Sequence, residues 1–218
     1  MREKILFSSI LAAVIFTGCA TESSRVIQTP VSQVALTPYS GEKVAVSVGR
    51  FANQSSYNKG IFSDGEDRLG NQAATILVTN LQQSGRFNVL ERTNMENLKQ
   101  ESKIAKKSQN LKGAKYVITG DVVEFGRKTV GNHQLFGILG KGKTQVAYAK
   151  VNLQVVNVST SEVVYSSQGA GEYSLSNREI IGFGGTAGYD ATLNGKVLSL
   201  AIKEASDKLA LAVDNRAF

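Results

Sequence analysis

From residue 43 onward, apolar positions fall into short runs that switch between a period of two and a period near 3.6, and these runs alternate along the chain. Lys43-Val44-Ala45-Val46-Ser47-Val48 alternates polar and apolar residues and predicts a half-buried first strand. Asn53 to Asp64 is polar, with Ser55, Ser56, Asn58, Lys59 and Gly60, and predicts a loop. Leu69, Ala73, Ile76, Leu77 and Leu81 then recur at helical spacing. Glu66 and Asp67 stand at the positive end of that helix and Gly85 at its stop. Phe87 to Leu90 predicts a short strand, and Met95, Leu98, Ser102 and Ala105 a second, more polar helix. Thr93 with Glu96 three residues on has the form of a capping box for that helix.

Tyr116 to Val123 has the apolar density of a central strand, and the strand pattern continues to Phe125. From Gln145 to Val158 the alternation is long: Ala147, Ala149, Val151, Leu153 and Val155 share one face, and Tyr148, Lys150, Asn152 and Gln154 the other. One side of that strand is therefore buried. Ser159-Thr160-Ser161 turns the chain, and Glu162 to Tyr173 returns as an antiparallel partner. After a glycine-rich stretch, Leu193, Val197, Leu200, Ala201, Ala205 and Leu209 predict a last amphipathic helix reaching about Val213. The order β, α, β, α, β, β, β, α predicts an α/β sandwich with a mixed or antiparallel sheet.

The N-terminal residues follow a different logic. Arg2 and Lys4 precede an apolar run from Ile5 to Phe16, and Phe16-Thr17-Gly18-Cys19 has the form of a bacterial lipobox. Residues 1–18 are expected to be a lipoprotein signal peptide, with Cys19 carrying covalent diacylglyceryl and N-acyl (palmitate) lipid. A plain secretory leader and an uncleaved anchor are the alternatives, although the run is short of the roughly 20 apolar residues a spanning helix needs. Ala20, a residue other than Asp after the cysteine, would by Gram-negative sorting rules release the protein to the outer membrane. At about 0.8 kcal/mol per buried CH₂, several acyl chains would hold it there, with the domain facing the periplasm. Residues 19–42, with Ser, Thr, Gln, Pro30 and Pro38, predict a flexible tether, leaving 43–218 as one domain.

Composition removes several chemistries. Cys19 is the single cysteine and His133 the single histidine, so no disulfide, thiolate site, His-based metal site or Ser/His/Asp triad is expected. No catalytic residue, metal or other cofactor is assigned, and an enzyme is not expected. The formal charge is +7, but the Lys and Arg residues are scattered, and the cluster of Lys103, Lys106, Lys107, Lys112 and Lys115 has no interleaved aromatics. It reads as a solvated helical face, with anionic lipid as the remaining possibility and no nucleic-acid partner.

Gly137 to Thr144 fits the P-loop expression G-x-x-x-x-G-K-T. A phosphate loop must leave a strand and open a helix, whereas Thr144 opens the strongest predicted strand, so no nucleotide is expected. Gly182 to Gly188 reads as a flexible connection.

Ala74 to Leu81, Phe87 to Arg92, and above all Val151-Asn152-Leu153-Gln154-Val155-Val156-Asn157-Val158-Ser159-Thr160 resemble the CsgG family of outer-membrane lipoproteins, named for the curli secretion channel. The resemblance implies a periplasmic α/β domain that assembles as a homo-oligomeric ring, each subunit adding two long β-hairpins that can become transmembrane. Those hairpins would fall here at about 123–153 and 163–190. Gly126, Gly131, Gly137, Gly140, Gly142, Gly169 and Gly171 would suit segments that repack between conformations. Leu135, Phe136, Ile138 and Leu139 are the candidate membrane hairpin tip. The curli channel narrows at a loop whose counterpart here makes Tyr57, Phe62 and Asp64 the candidate constriction or lumen residues, out of register with the family's pattern. The resemblance implies a channel exporting a secreted, curli-like polypeptide by diffusion. The alternative is a lipid-tethered module that holds or activates a cell-envelope partner, such as another lipoprotein.

Overall fold

The computed structural model describes residues 37–57, 66–133, 141–179 and 192–218. Its elements run β1 Val44–Asn53, α1 Arg68–Ser84, β2 Phe87–Leu90, α2 Met95–Ile104, β3 Tyr116–His133, β4 Lys141–Asn157, β5 Val163–Glu179 and α3 Thr192–Asp214. This is the predicted order of elements. The five strands form one mixed sheet in the order β2-β1-β3-β4-β5. β2, β1 and β3 run parallel, and β3, β4 and β5 form an antiparallel meander. Helices α1 and α3 pack on the sheet and on each other.

Local chemistry sets the helix ends. Asp67 caps α1, accepting the Gly70 N–H at 2.8 Å, and its other carboxylate oxygen accepts the Asn53 N–H at 2.6 Å. Gly85 ends α1 at φ 71°, a left-handed conformation that glycine adopts without a Cβ penalty. Ala73, Leu77 and Leu81, four residues apart, are fully buried. On β4, Ala147, Ala149, Val151, Leu153 and Val155 are all buried, as the alternation predicts, while Tyr148 and Gln154 of the opposite face are exposed.

Helix α2 departs from expectation. Its cap is Asn94 without a side-chain bond, and the Thr93–Glu96 capping box does not form. Glu91 does that work instead, its Oε1 accepting the N–H groups of Thr93 and Asn94 at 2.5 and 3.0 Å. Those two bonds hold the Glu91 carboxyl below its usual range. α2 buries none of its residues, and none of the described elements packs extensively on it.

Residues 37–42, the end of the expected tether, are held against the domain. Arg86, with only 3% of its side chain exposed, forks onto Asp214 at 3.2 and 3.1 Å. It also donates to the carbonyls of Thr37 and Ser84 and to the Thr37 hydroxyl, beneath the Tyr39 ring. A buried guanidinium needs that many acceptors, and they draw residues 37–42 onto the end of α3.

Candidate functional site

The meander is longer than the sheet it belongs to. β1 stops pairing with β3 where the Val122 carbonyl accepts N–H groups from both Gln54 and Ser55, at 2.9 and 3.1 Å. Val123 is bulged out of the β3–β4 register at the same point. Beyond it, β3, β4 and β5 continue in unbroken register to the His133–Lys141–Glu179 row. This three-stranded arm, from Glu124 to His133 on β3, is the part of the described sheet that extends past the end of β1.

A polar chain fixes the arm's base. Arg127 on β3 donates from Nε to Asn194 Oδ1 at 2.7 Å, and Asn194 donates from Nδ2 to the Tyr57 hydroxyl at 2.8 Å. The Tyr57 ring packs on buried Phe125 with ring centroids 4.7 Å apart. The loop after β1, the arm and the start of α3 therefore meet at one junction. Tyr57, a candidate constriction residue, is half-buried in that junction. Asn194 and Arg127 were missed by sequence reading, since a lone Asn in a helix and a lone Arg in a strand carry no pattern.

Phe62 and Asp64 lie outside the described residues, as do the expected leader, Cys19 and residues 20–36 of the expected tether. Leu135, Phe136, Ile138 and Leu139 also lie outside them, in the connection between β3 and β4. The stretch 123–153 of the expected first hairpin falls within the longer β3–β4 ladder, which pairs Tyr116–His133 with Lys141–Asn157, and residues 134–140 lie outside the described residues. In the stretch 163–190, β5 pairs with β4 along its length, and residues 180–190 lie outside the described residues.

Three of the meander's glycines sit at close contacts that an added Cβ would violate. A Cβ on Gly169 would run into the Ala201 carbonyl oxygen and come within 2.6 Å of the Ala205 nitrogen. One on Gly171 would sit 2.8 Å from Leu200 Cβ and from the Val197 carbonyl oxygen. These two glycines let α3 lie directly on the β5 backbone. Gly126 lies beneath the Tyr148 ring of the opposite strand, whose Cζ would be 2.6 Å from an added Cβ.

The P-loop-like stretch runs into strand, not helix: Lys141 to Thr144 are the first four residues of β4, paired with β3 and β5. Gly182 to Gly188 lies outside the described residues. Among the described residues there is no group of three His, Cys, Asp or Glu side chains able to hold a metal. No described helix is long and apolar enough to cross a membrane, which leaves membrane crossing by strands untouched. A groove of about 370 Å³ between Tyr39, Val44, Val213 and Phe218 lies beside Asp214, the partner of Arg86, at the end of the sheet remote from the arm.

Comparison with known proteins bears on the whole chain. A family model described as "Curli production assembly/transport component CsgG" matches residues 28–215. A Neisseria meningitidis serogroup B protein named as a "putative lipoprotein" is 69% identical over 207 residues, 95% of this chain and 93% of that protein. The curli production assembly/transport component CsgG of Escherichia coli K12 is 29% identical over 183 residues, 72% of this chain and 66% of that protein. Among solved structures, a PelC dodecamer from Paraburkholderia phytofirmans aligns with a TM-score of 0.37 at 15% identity, covering 83% of this chain and 93% of that one. With a family match spanning both the β1–α1–β2 half and the β3–β4–β5 meander, this chain belongs to the CsgG family.

Proposed function

We propose that this protein is an outer-membrane lipoprotein, acylated on Cys19, that assembles into a homo-oligomeric ring and provides a channel for a secreted polypeptide. The observation that carries the reading is the arm. From Glu124 on β3 and Gly171 on β5 upward, both edges of the three-stranded ribbon lack a strand partner among the described residues. Open edges of this length are pairing templates. A ring of copies, each offering its arm, closes them into a barrel, and closure is the arrangement that satisfies backbone groups in lipid. The stretch from Glu124 to His133 matches the 9–11 residues of a tilted membrane strand. Transport through such a ring is diffusive, since the P-loop-like residues open a strand and cradle no phosphate. The names of the relatives support the envelope location and the lipid anchor.

One observation favours a second reading, a lipid-tethered module that holds an envelope partner with its arm in water. A register row near the base of the arm sets a lysine beside an apolar residue, Lys128–Val146–Ser174. A lysine facing lipid at the midplane costs about 2–4 kcal/mol.

Detergent-extracted protein imaged by electron microscopy and reconstituted in planar bilayers separates the two. Rings with stepwise conductance support the channel. Rings without conductance give the module, and a monodisperse monomer overturns assembly altogether. For the anchor, Cys19→Ser should abolish metabolic labelling with palmitate; retained labelling refutes acylation at that residue.

A further inference from the structure

The crossover from β2 to β3 carries most of the chain's excess charge, and the described elements leave it uncovered. Residues 102–115 hold five lysines, Lys103, Lys106, Lys107, Lys112 and Lys115, and no Asp or Glu. That is +5 of the formal +7, so the rest of the chain amounts to +2. Every residue from Lys103 to Gly113 is exposed, including the apolar Ile104 and Leu111. Lys103, Lys106, Lys107 and Lys112 have no carboxylate partner among the described residues, and Lys115 lies over the Tyr116 ring.

The segment is nonetheless tied down. Arg92 reaches across from the start of the crossover to the Lys112 carbonyl at 2.6 Å, and the Lys115 N–H donates to the Ala45 carbonyl at 2.8 Å. At the other foot, Leu90 pairs with Ser47. Both feet therefore stand near the start of β1, about 20 Å along β3 from the arm's base at Val122. Five like charges on a tied segment repel one another, and a partner rich in carboxylates relieves that repulsion.

The rest of the molecule narrows what such a partner is. The segments outside the described residues hold in total four Asp or Glu against four Lys or Arg, so they bring no net negative charge. A second copy is a poor complement, because what remains of it is also positive. A membrane surface fits α2 badly. A helix lying on lipid turns an apolar stripe outward, whereas here Met95 and Ser102 are half-buried on one side and Glu96, Asn97 and Gln100 share the other side with Ile104. Carboxylates joined to apolar side chains are what an acidic polypeptide offers.

We propose that the β2–β3 crossover, residues 102–115, is a docking surface for an acidic polypeptide, whose carboxylates meet the lysines and whose apolar side chains meet Ile104 and Leu111. The inference goes beyond the channel and module readings and needs neither, since the surface stands at the end of the sheet away from the arm.

The test is titration of the detergent-extracted full chain with a short fluorescent poly-L-glutamate, read by anisotropy. Saturable binding is expected, weakened at least tenfold in the triple variant Lys106→Gln, Lys107→Gln, Lys112→Gln. The charge-matched control Arg50→Gln, Lys128→Gln, Arg216→Gln, which removes three other exposed cations, should change it by less than twofold. Replacing the same three lysines by arginine should keep binding within about threefold of wild type, and raising the salt should weaken it. Absence of saturable binding overturns the proposal. An equal loss in the two Gln variants also overturns it, because net charge and not the crossover would then be the cause. Dioctanoyl phosphatidylglycerol binding more tightly than poly-L-glutamate through the same three lysines overturns it in favour of lipid. Rings and conductance are not read in this titration, so its outcome is distinct from that of the channel.

Discussion

Adding one methyl group to Gly169 tests why the β5 glycines are there. If they serve only conformational freedom, alanine should stabilise the fold, because it narrows the unfolded ensemble and suits a strand better, by about 0.4–1 kcal/mol. If they serve close packing of α3, the sign reverses. The added Cβ on Gly169 meets backbone at the Ala201 carbonyl oxygen and the Ala205 nitrogen, the latter at 2.6 Å. A helix backbone cannot swing aside as a side-chain tip can, so α3 must lift off β5. Ala201, Ala205 and Val197 are fully buried beneath it. Overpacking of this kind typically costs about 1–3 kcal/mol, and contact with main chain puts Gly169→Ala at the upper end. Gly171→Ala, with its nearest atoms at 2.8 Å, should cost somewhat less. For a domain of this size each kcal/mol moves Tm by about 2–4 °C, so a loss of roughly 4–12 °C is expected for Gly169→Ala. Gly195→Ala is the internal control. It lies within α3, an added Cβ would meet nothing nearer than Gln72 Nε2 at 3.4 Å, and it should stabilise by about 0.5–1 kcal/mol. Urea denaturation followed by far-UV circular dichroism gives all three values. A Gly169→Ala variant at or above wild-type stability would refute the packing argument and return the glycines to flexibility.

Four further outcomes are expected. Arg86→Met strands Asp214 and the Thr37 carbonyl and should cost about 3 kcal/mol, with new protease cleavage near Thr37; wild-type stability and an unchanged cleavage pattern would contradict the docked tether. Asp67→Ala removes the acceptor of both the Gly70 and Asn53 N–H groups and should cost about 1–3 kcal/mol by urea titration, with no loss counting against the cap. Calorimetric titration with Mg-ATP should show no saturable binding in wild type or Lys143→Ala, because that lysine is part of β4; saturable heat abolished by the substitution would overturn the assignment. Glu91 and Glu204 both have carboxyls lowered from 4.5 by backbone N–H bonds. A depressed folded pKa gives stability that is present above the unfolded value and lost as pH falls through the folded one. The double Gln variant should therefore lose less stability than wild type on going from pH 5 to pH 3 and match its pH dependence between pH 5 and 7, and equal slopes below pH 5 would refute the bonds.

The order of elements and much of their extent could be read along the chain, because helix and strand periodicities are local. Leu77 and Leu81 on α1, and Ala147 to Val155 on β4, announce their buried faces by spacing alone, and Gly85 announces a stop because few other residues tolerate its conformation. The CsgG resemblance was legible for the same reason, in the Val151 to Thr160 run that forms the end of β4 and its turn. Relations between residues far apart in the chain emerge from the folded structure alone. Arg86 and Asp214 are 128 positions apart, and nothing near either one predicts a buried fork. Arg127, Asn194 and Tyr57 form one hydrogen-bonded chain from three separate elements. Gly169 looks like any flexible strand glycine until α3 is laid on it, and Glu204 and Lys208 look like an ordinary helical ion pair until the edge of β5 lies beside them. Periodicity reports which face of an element leaves water; which atoms that face then meets depends on packing, and packing is set by the whole chain at once.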